Sequence, residues 1–150
     1  MEPSPRHSCS GQVRATGASW PLNRRRGGWD SAFGSLVQKG IDALFVTNDP
    51  LFFNRRAQMV ILAAYHRLPA SFALREFTEI GGLTNYGVDF SNQQRLAGVY
   101  TGRILQGEKP SEMPVLLPTK FEFIINLQTA KTLRIEVPPM LLALADEVVE

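Results

Sequence analysis

The chain is poor in the residues that make metal centres, disulfides and membrane spans. Its one cysteine, Cys9, excludes an intrachain disulfide and leaves the compartment open. His7 and Cys9 stand two apart, but two ligands do not make a metal site. No apolar run approaches the roughly 20 residues of a membrane-spanning helix. Residues 1–30 lack the apolar core of about 7–15 residues that marks a secretion signal. Cys9 lies in His-Ser-Cys-Ser, without the apolar lead-in of a lipid-attachment site. Charge of one sign is scarce over most of the length. Residues 1–30 carry five arginines against Glu2 and Asp30, a net of +3, whereas residues 31–150 carry 11 basic and 12 acidic side chains, a net of −1. A body so balanced offers no nucleic-acid surface, which needs clustered Lys and Arg. Catalytic signatures are missing too. There is no G-x-S-x-G, Walker-type loop, G-x-G-x-x-G or H-E-x-x-H. Gly81-Gly82 precedes a strand and reads as a turn, not a phosphate cradle. Glu76 and Glu79 fit a solvated helix face better than an acid/base pair. No cofactor is implied, and an enzyme is disfavoured.

What is present is the composition of one globular domain: 150 residues, 44% hydrophobic and 20% charged, enough for a sizeable core. Residues 1–30 read as disordered or foreign, because Pro3, Pro5, Gly11, Gly17, Pro21, Gly27 and Gly28 break every period. Arg24-Arg25-Arg26 reads as a solvated basic tail. From residue 31 the pattern alternates. Ser31–Lys39 fits a short helix stopped by Gly40. Ala43–Val46 fits a buried strand. Leu51–Arg67 fits a helix with Ala57, Val60, Ile61, Ala64 and Leu68 on one stripe, and His66 near its end, where the dipole favours a cation. Ala70–Leu74 and Leu83–Val88 fit strands, with a single helical turn at Arg75–Glu79 between them. Asn92–Gln106 fits a helix with a row of Leu96, Tyr100 and Ile104, widened by Ala97 and Leu105. Ser111–Pro118 is an extended connection. Phe121, Phe123, Ile125 and Leu127 alternate with Glu122, Ile124 and Asn126 as a strand with one buried face does. Thr129–Leu133 is a helical turn, and Pro138-Pro139 opens a last helix with Leu141, Leu142, Ala145 and Val148 inward. Such alternation argues for α/β with a mostly parallel sheet.

Open sheets of that class bind ligands outside the carboxyl ends of their strands. The first strand stops at Thr47-Asn48-Asp49, with Asp49 placed as an N-cap and Pro50 as the first helical residue. The third ends in Asn85, Tyr86 and Gly87, followed by Asp89. The candidate ligand-binding residues are therefore Thr47, Asn48, Asp49, Tyr86 and Asp89. Asp49 would take an ammonium, helix N-terminal amides a carboxylate, and Tyr86 a ring. That set suits a zwitterion such as an amino acid. The plainer alternative makes Asp49 and Asp89 helix caps and Tyr86 a core residue.

Longer stretches carry a resemblance. GIDALFVTNDPLFFNRR, REFTEIGGLTNYGVD, AGVYTGRILQGEKPSEMPVLLPTKFEFIINLQTAK and VPPMLLALADEVVE are similar to the C-terminal part of bacterial ABC-transporter substrate-binding proteins. The particular family is the one whose better-known members bind tryptophan or tyrosine-like ligands. The resemblance runs from about Ala32 to Glu150, roughly four-fifths of the chain. It implies a type I periplasmic-binding-protein fold, in which two α/β lobes joined by crossing strands close on a small-molecule ligand. It places Thr47, Asn48, Asp49, Tyr86 and Asp89 on loops facing the cleft, and Phe121–Leu127 near the hinge, running back towards the other lobe. It implies ABC permease subunits as partners and no catalysis.

Residues 1–30 match nothing in that family. Their Arg, Pro, Gly, Ser and Trp bias resembles GC-rich DNA read out of frame, so the expectation is a truncated or frameshifted gene. Such a chain lacks most of the N-terminal lobe. The family's compartment is the periplasm; with no recognisable signal here, the cytoplasm stays open for this chain. Arg134 stands where the family usually has Gly, and if that position needs positive φ it costs about 1 kcal/mol. Two readings compete. One is the ligand-sensing domain of a transcription regulator with the same lobe, which needs a helix-turn-helix. The other is a small doubly wound enzyme, which needs a nucleophile–base pair.

Overall fold

The computed structural model describes residues 28–150. Of residues 1–30, read as disordered or foreign, 1–27 lie outside the described residues, as do Arg24-Arg25-Arg26 and His7 with Cys9; Gly28, Trp29 and Asp30 instead open α1, which corrects the boundary. The elements run α1 (Gly28–Gln38), β1 (Leu44–Val46), α2 (Pro50–Asn54), α3 (Arg56–Tyr65), β2 (Ala70–Phe72), α4 (Arg75–Glu79), β3 (Thr84–Val88) and α5 (Phe90–Leu105). A 3₁₀ turn at Pro110–Glu112 follows, then β4 (Phe121–Asn126), α6 (Leu127–Leu133), α7 (Pro139–Leu144) and β5 (Glu147–Val149). The five strands form one sheet in sequence order. β1, β2 and β3 are parallel, β4 runs antiparallel to β3, and β5 is parallel to β4. The alternation in the sequence therefore gives the mostly parallel α/β sheet it implies. β4 thus reverses the direction of the chain relative to β3.

Register divides the strand residues between two faces. Leu44, Val46, Ala70, Phe72, Asn85 and Ile124 share the first face. α1, α3 and α4 cover it. Phe33 from α1, Met59, Val60, Leu62 and Ala63 from α3 and Phe77 from α4 close over Val46, Ala70 and Phe72 in one core. The rings of Phe72 and Phe77 stack with centroids 4.6 Å apart. Each fully buried side chain of this size adds about 1.5–3 kcal/mol over leaving it in water. Two buried amides in this layer are paired, whereas the buried Thr78 hydroxyl on α4 has no hydrogen-bond partner. Asn85 Oδ1 accepts from the Ile124 N–H at 3.1 Å, and Asn126 Nδ2 donates to the Thr78 carbonyl at 3.3 Å. Gly87 lies where the backbone of Ala73 crosses β3. A Cβ there would come within 1.9 Å of the Ala73 oxygen.

The second face carries Phe45, Ser71, Thr84, Tyr86, Val88, Phe121, Phe123, Ile125 and Val148. Of these only Ile125 is fully buried. The strand at Phe121–Asn126 thus corrects the expected pattern. Phe121 is exposed and Phe123 half-buried, whereas Ile124, Ile125 and Asn126 are inside. Alternation located the strand but not its covered face.

Three helices also differ from expectation. The chain between Leu51 and Arg67 is two helices, broken at Arg55 (φ −112°, ψ 16°), whose N–H bonds back to the Phe52 carbonyl. The break resets the helical phase. Val60 and Leu68 go inside as expected, Met59, Leu62 and Ala63 join them, and Ala57, Ile61 and Ala64 stay exposed. His66 does cap the C-terminus of α3, its ring stacked on Phe33 at 6.2 Å. α5 has its expected extent but buries no side chain. Its row of Leu96, Tyr100 and Ile104 is at best half-covered, and the Tyr100 hydroxyl donates to the Pro114 carbonyl at 2.8 Å. The last helix ends at Leu144. Ala145 is extended, and Asp146 holds β4 twice: its N–H donates to the Phe123 carbonyl at 2.8 Å, and its Oδ2 accepts from the Phe123 N–H at 2.8 Å. Those bonds steer Glu147–Val149 into the sheet, so Val148 is a strand residue. Gly40 (φ 65°) stops α1 as expected. Arg134 ends α6 in the left-handed region (φ 59°, ψ 38°).

Candidate ligand-binding site

The carboxyl ends of β1 and β3 carry the five sequence-nominated residues. β1 ends at Val46, whose carbonyl accepts from the Ala73 N–H at 3.0 Å. The chain then leaves the sheet with Thr47 and Asn48 exposed. Asp49 is extended and caps α2, its Oδ1 accepting from the Leu51 N–H at 2.7 Å, with Pro50 as the first helical residue. This is the cap read from the sequence, and it leaves Oδ2 for another partner. Asp89 caps α5 in the same way, accepting from the Asn92 N–H at 2.8 Å. Its second oxygen lies 3.5 Å from Lys120 Nζ, and its own N–H donates to the Lys120 carbonyl at 3.0 Å. The Asn92 N–H first, and the Lys120 ammonium after it, hold this carboxyl below the usual carboxylate range. Asp89 thereby clasps the exit of β3 to the start of β4. One N–H at the start of each helix is already taken by its own cap, which reduces what those helices offer a ligand carboxylate.

Tyr86 is not a core residue. It is 57% exposed on the second face. Its ring stacks on Phe121 (centroids 6.0 Å apart, interplanar angle 16°) and meets the edge of Phe123 at 6.2 Å. With Leu144 and Asp146 these rings line an open pocket of about 390 Å³. That size lies at the low end of small-molecule sites. The pocket walls are aromatic, with Asp146 as their only charged side chain.

The structure brings Tyr86 together with Phe121 and Phe123, and Asp89 together with Lys120. It does not bring Thr47, Asn48 and Asp49 into the same pocket. β2 stands between β1 and β3, and two strand spacings are about 10 Å. Phe121, Phe123, Leu144 and Asp146 were not nominated from the sequence. The F-x-F pair at 121 and 123 was the available signal, and it was read as core. A further polar cluster sits on the first-face side. Arg75 reaches Glu79 and Glu147 at 2.9 Å and Glu122 at 3.4 Å, tying α4 to β4 and β5. The hydrogen bond to Glu79 first, with Glu147 after it, raises its already high pKa. No group of three or more metal-binding side chains occurs among the described residues, and no described helix is long and apolar enough to cross a membrane.

A mostly parallel sheet covered by helices on one face, with polar residues at the carboxyl ends of β1 and β3, has the architecture of open α/β folds. Solved structures agree on the fold. A conserved domain protein from Vibrio cholerae superposes with a TM-score of 0.73 at 24% identity, over 79% of this chain and 40% of its own. An ABC domain from Streptococcus pneumoniae, in complex with L-Trp, gives 0.73 at 24% identity, over 80% of this chain and 41% of its own. The ligand-free, open form of CD0873, a substrate-binding protein with adhesive properties from Clostridium difficile, gives 0.53 at 29% identity, over 74% and 37%. The chain thus spans about two fifths of the length of the structures it matches. No curated protein matches it. The family described as ABC transporter substrate binding protein matches residues 29–149, and the chain belongs to that family.

Proposed function

We propose that the chain is the C-terminal lobe of a solute-binding component of an ABC importer. It would have type I periplasmic-binding-protein architecture and bind a small molecule rather than catalyse a reaction. In this reading Thr47, Asn48, Asp49, Tyr86 and Asp89 face a cleft between two lobes, and the ligand is an amino acid with an aromatic side chain. The whole assembly works in the periplasm and delivers its solute to ABC permease subunits. The observation that carries the reading is Tyr86. Its ring is exposed beside the carboxyl end of β3 and backed by Phe121 and Phe123, in a chain whose family binds substrates. Offset-stacked and edge-on rings attract beyond their buried area, so a planar ligand ring has a ready face there. The L-Trp held by the Streptococcus pneumoniae structure suits the same chemistry.

The test is a thermal melt of the purified chain with excess L-Trp, L-Tyr or L-Ala. A ligand selective for the folded state stabilises it, by about 2.7 kcal/mol at a hundredfold excess over Kd. An aromatic amino acid is expected to raise Tm, L-Ala is not, and Tyr86→Ala removes the rise. A transition indifferent to both aromatic amino acids would sink the ligand class.

A further inference from the structure

We infer that Asp146 receives the ligand's ammonium, so that this lobe reads an aromatic ring and a cation but not a carboxylate. The inference rests on the reading of the pocket beside β3 as the ring-binding wall. Of the described residues that line this pocket, Asp146 alone is charged; the others are Tyr86, Phe121, Phe123 and Leu144. Its place is fixed by Phe123. The Asp146 N–H donates to the Phe123 carbonyl, and Asp146 Oδ2 accepts from the Phe123 N–H, both at 2.8 Å. Tyr86 is the register partner of Phe123 across β3 and β4, so the carboxylate and the rings are positioned by the same strand residue. Among the described residues no ion pair engages Asp146 and no hydrogen bond reaches its Oδ1.

The other carboxylates at this edge of the sheet fit worse. Asp89 caps α5 with one oxygen and holds the other 3.5 Å from Lys120 Nζ. Asp49 caps α2 and does not line the pocket. The walls favour a cation as well, because the faces of Tyr and Phe rings attract an ammonium lying within about 6 Å of their centroids. A ligand carboxylate finds no such support. No Lys, Arg or His lines the pocket, and a carboxylate placed there meets the like charge of Asp146. An ammonium at Oδ1 instead makes a charge-assisted hydrogen bond. The class of ligand that this wall selects is therefore an arylalkyl ammonium, of which an aromatic amino acid is one case.

The experiment is an NMR titration of the isotope-labelled full-length chain with three probes: L-Trp, tryptamine, which lacks the carboxylate, and indolepropionate, which lacks the ammonium. Tryptamine is expected to bind about as tightly as L-Trp, and indolepropionate about tenfold more weakly, the usual weight of a hydrogen bond to a charged group. Asp146→Asn should erase that preference. Its amide oxygen still accepts from the Phe123 N–H, so the hold on β4 stays, and a merely structural loss would weaken all three probes alike. Asp42→Asn removes the same charge from the exposed bend before β1 and should leave all three affinities unchanged. Indolepropionate binding as tightly as tryptamine overturns the inference. So does tryptamine binding far more weakly than L-Trp, or an ammonium preference that survives in Asp146→Asn. In each of these cases L-Trp still binds and the proposed function stands. If no probe shifts a resonance, the ring-binding wall itself is wrong, and the inference falls with it.

Discussion

The two faces of the sheet have been given opposite surroundings by the same five strands. On the first, Val46, Ala70, Phe72 and Ile124 are sealed by three helices. On the second, Phe45, Tyr86, Phe121 and Val148 meet water. Strand residues of both sets are apolar, so composition does not separate them. What separates them is the route of the crossovers. The connections β1 to β2 and β2 to β3 run through α3 and α4, and both lie on the first face, with α1 beside them. Each parallel crossover keeps one hand, so three strands laid down in one direction put every helix on one side. The lesson is that stability and recognition surface are divided by topology here, and substitutions should report that division.

The largest expected effect is at the sealed face. Phe72 is 1% exposed and stacked on Phe77, so Phe72→Ala should cost about 3–5 kcal/mol. Phe45→Ala removes the same atoms from the open face and should change stability by less than about 0.5 kcal/mol. Urea unfolding of both variants at low concentration measures the difference directly. Similar losses at the two sites would break the comparison. Next comes Gly87→Ala. The added methyl meets the Ala73 carbonyl, a backbone group that cannot rotate away, and the expected loss is about 3 kcal/mol. A near-neutral result in the same assay would mean that β2 and β3 can separate at that point.

The third effect is smaller and of opposite sign. Arg134 sits at φ 59° at the end of α6, away from both faces. A left-handed residue other than glycine costs about 1–2 kcal/mol, while glycine adds unfolded-state entropy worth about 0.5–1 kcal/mol. Arg134→Gly should therefore stabilise by about 0.5–1 kcal/mol, seen as a rise in Tm. This serves as a control, because it should shift wild type and Phe45→Ala equally.

Much of the fold was legible because its signals are local. The apolar run ending at Thr47-Asn48-Asp49, the caps at Asp49 and Asp89, and the stop at Gly40 depend on neighbours within a turn. Arg134 was legible as a position of strain through the family resemblance alone. What was not legible depends on distant partners. Arg55 interrupts a helix that periodicity carries through, and the phase reset moves Ile61 outward and Met59 inward. Leu96, Tyr100 and Ile104 form a correct row on α5, but a row is not a contact, and no element buries it. Glu147–Val149 becomes a strand because Asp146 grips the backbone of Phe123, 23 residues earlier. The candidate site was half legible for the same reason. Tyr86 could be nominated from the end of its strand, but Phe121 and Phe123 reach it only through antiparallel pairing. Their alternation looked like core because sequence does not say which face the helices will cover.

The smallest effect concerns the rim where the two faces meet. Asp89 joins the exit of β3 to Lys120 and caps α5, and its carboxyl is held below its ordinary value by the Asn92 N–H and then by Lys120. A carboxyl whose pKa is lower folded than unfolded stabilises the fold above its unfolded value, near 3.9. That contribution is lost as pH falls through the folded value, because protonation then favours the unfolded chain. Asp89→Asn keeps a side chain that caps helices well but removes the titrating charge. Melting temperatures of the two proteins should therefore run parallel from neutral pH down to about pH 5. Below that the wild type should fall more steeply, and the gap should close. Curves that stay parallel through the acid range would show that Asp89 does not sense the Asn92 N–H and Lys120 as the geometry requires. The rim would then be held by the backbone bond from Asp89 to Lys120 alone. Since Tyr86 lies on β3 three residues before Asp89, loosening of that clasp in acid should also weaken any ligand stacked on Tyr86 and Phe121, over the same pH range.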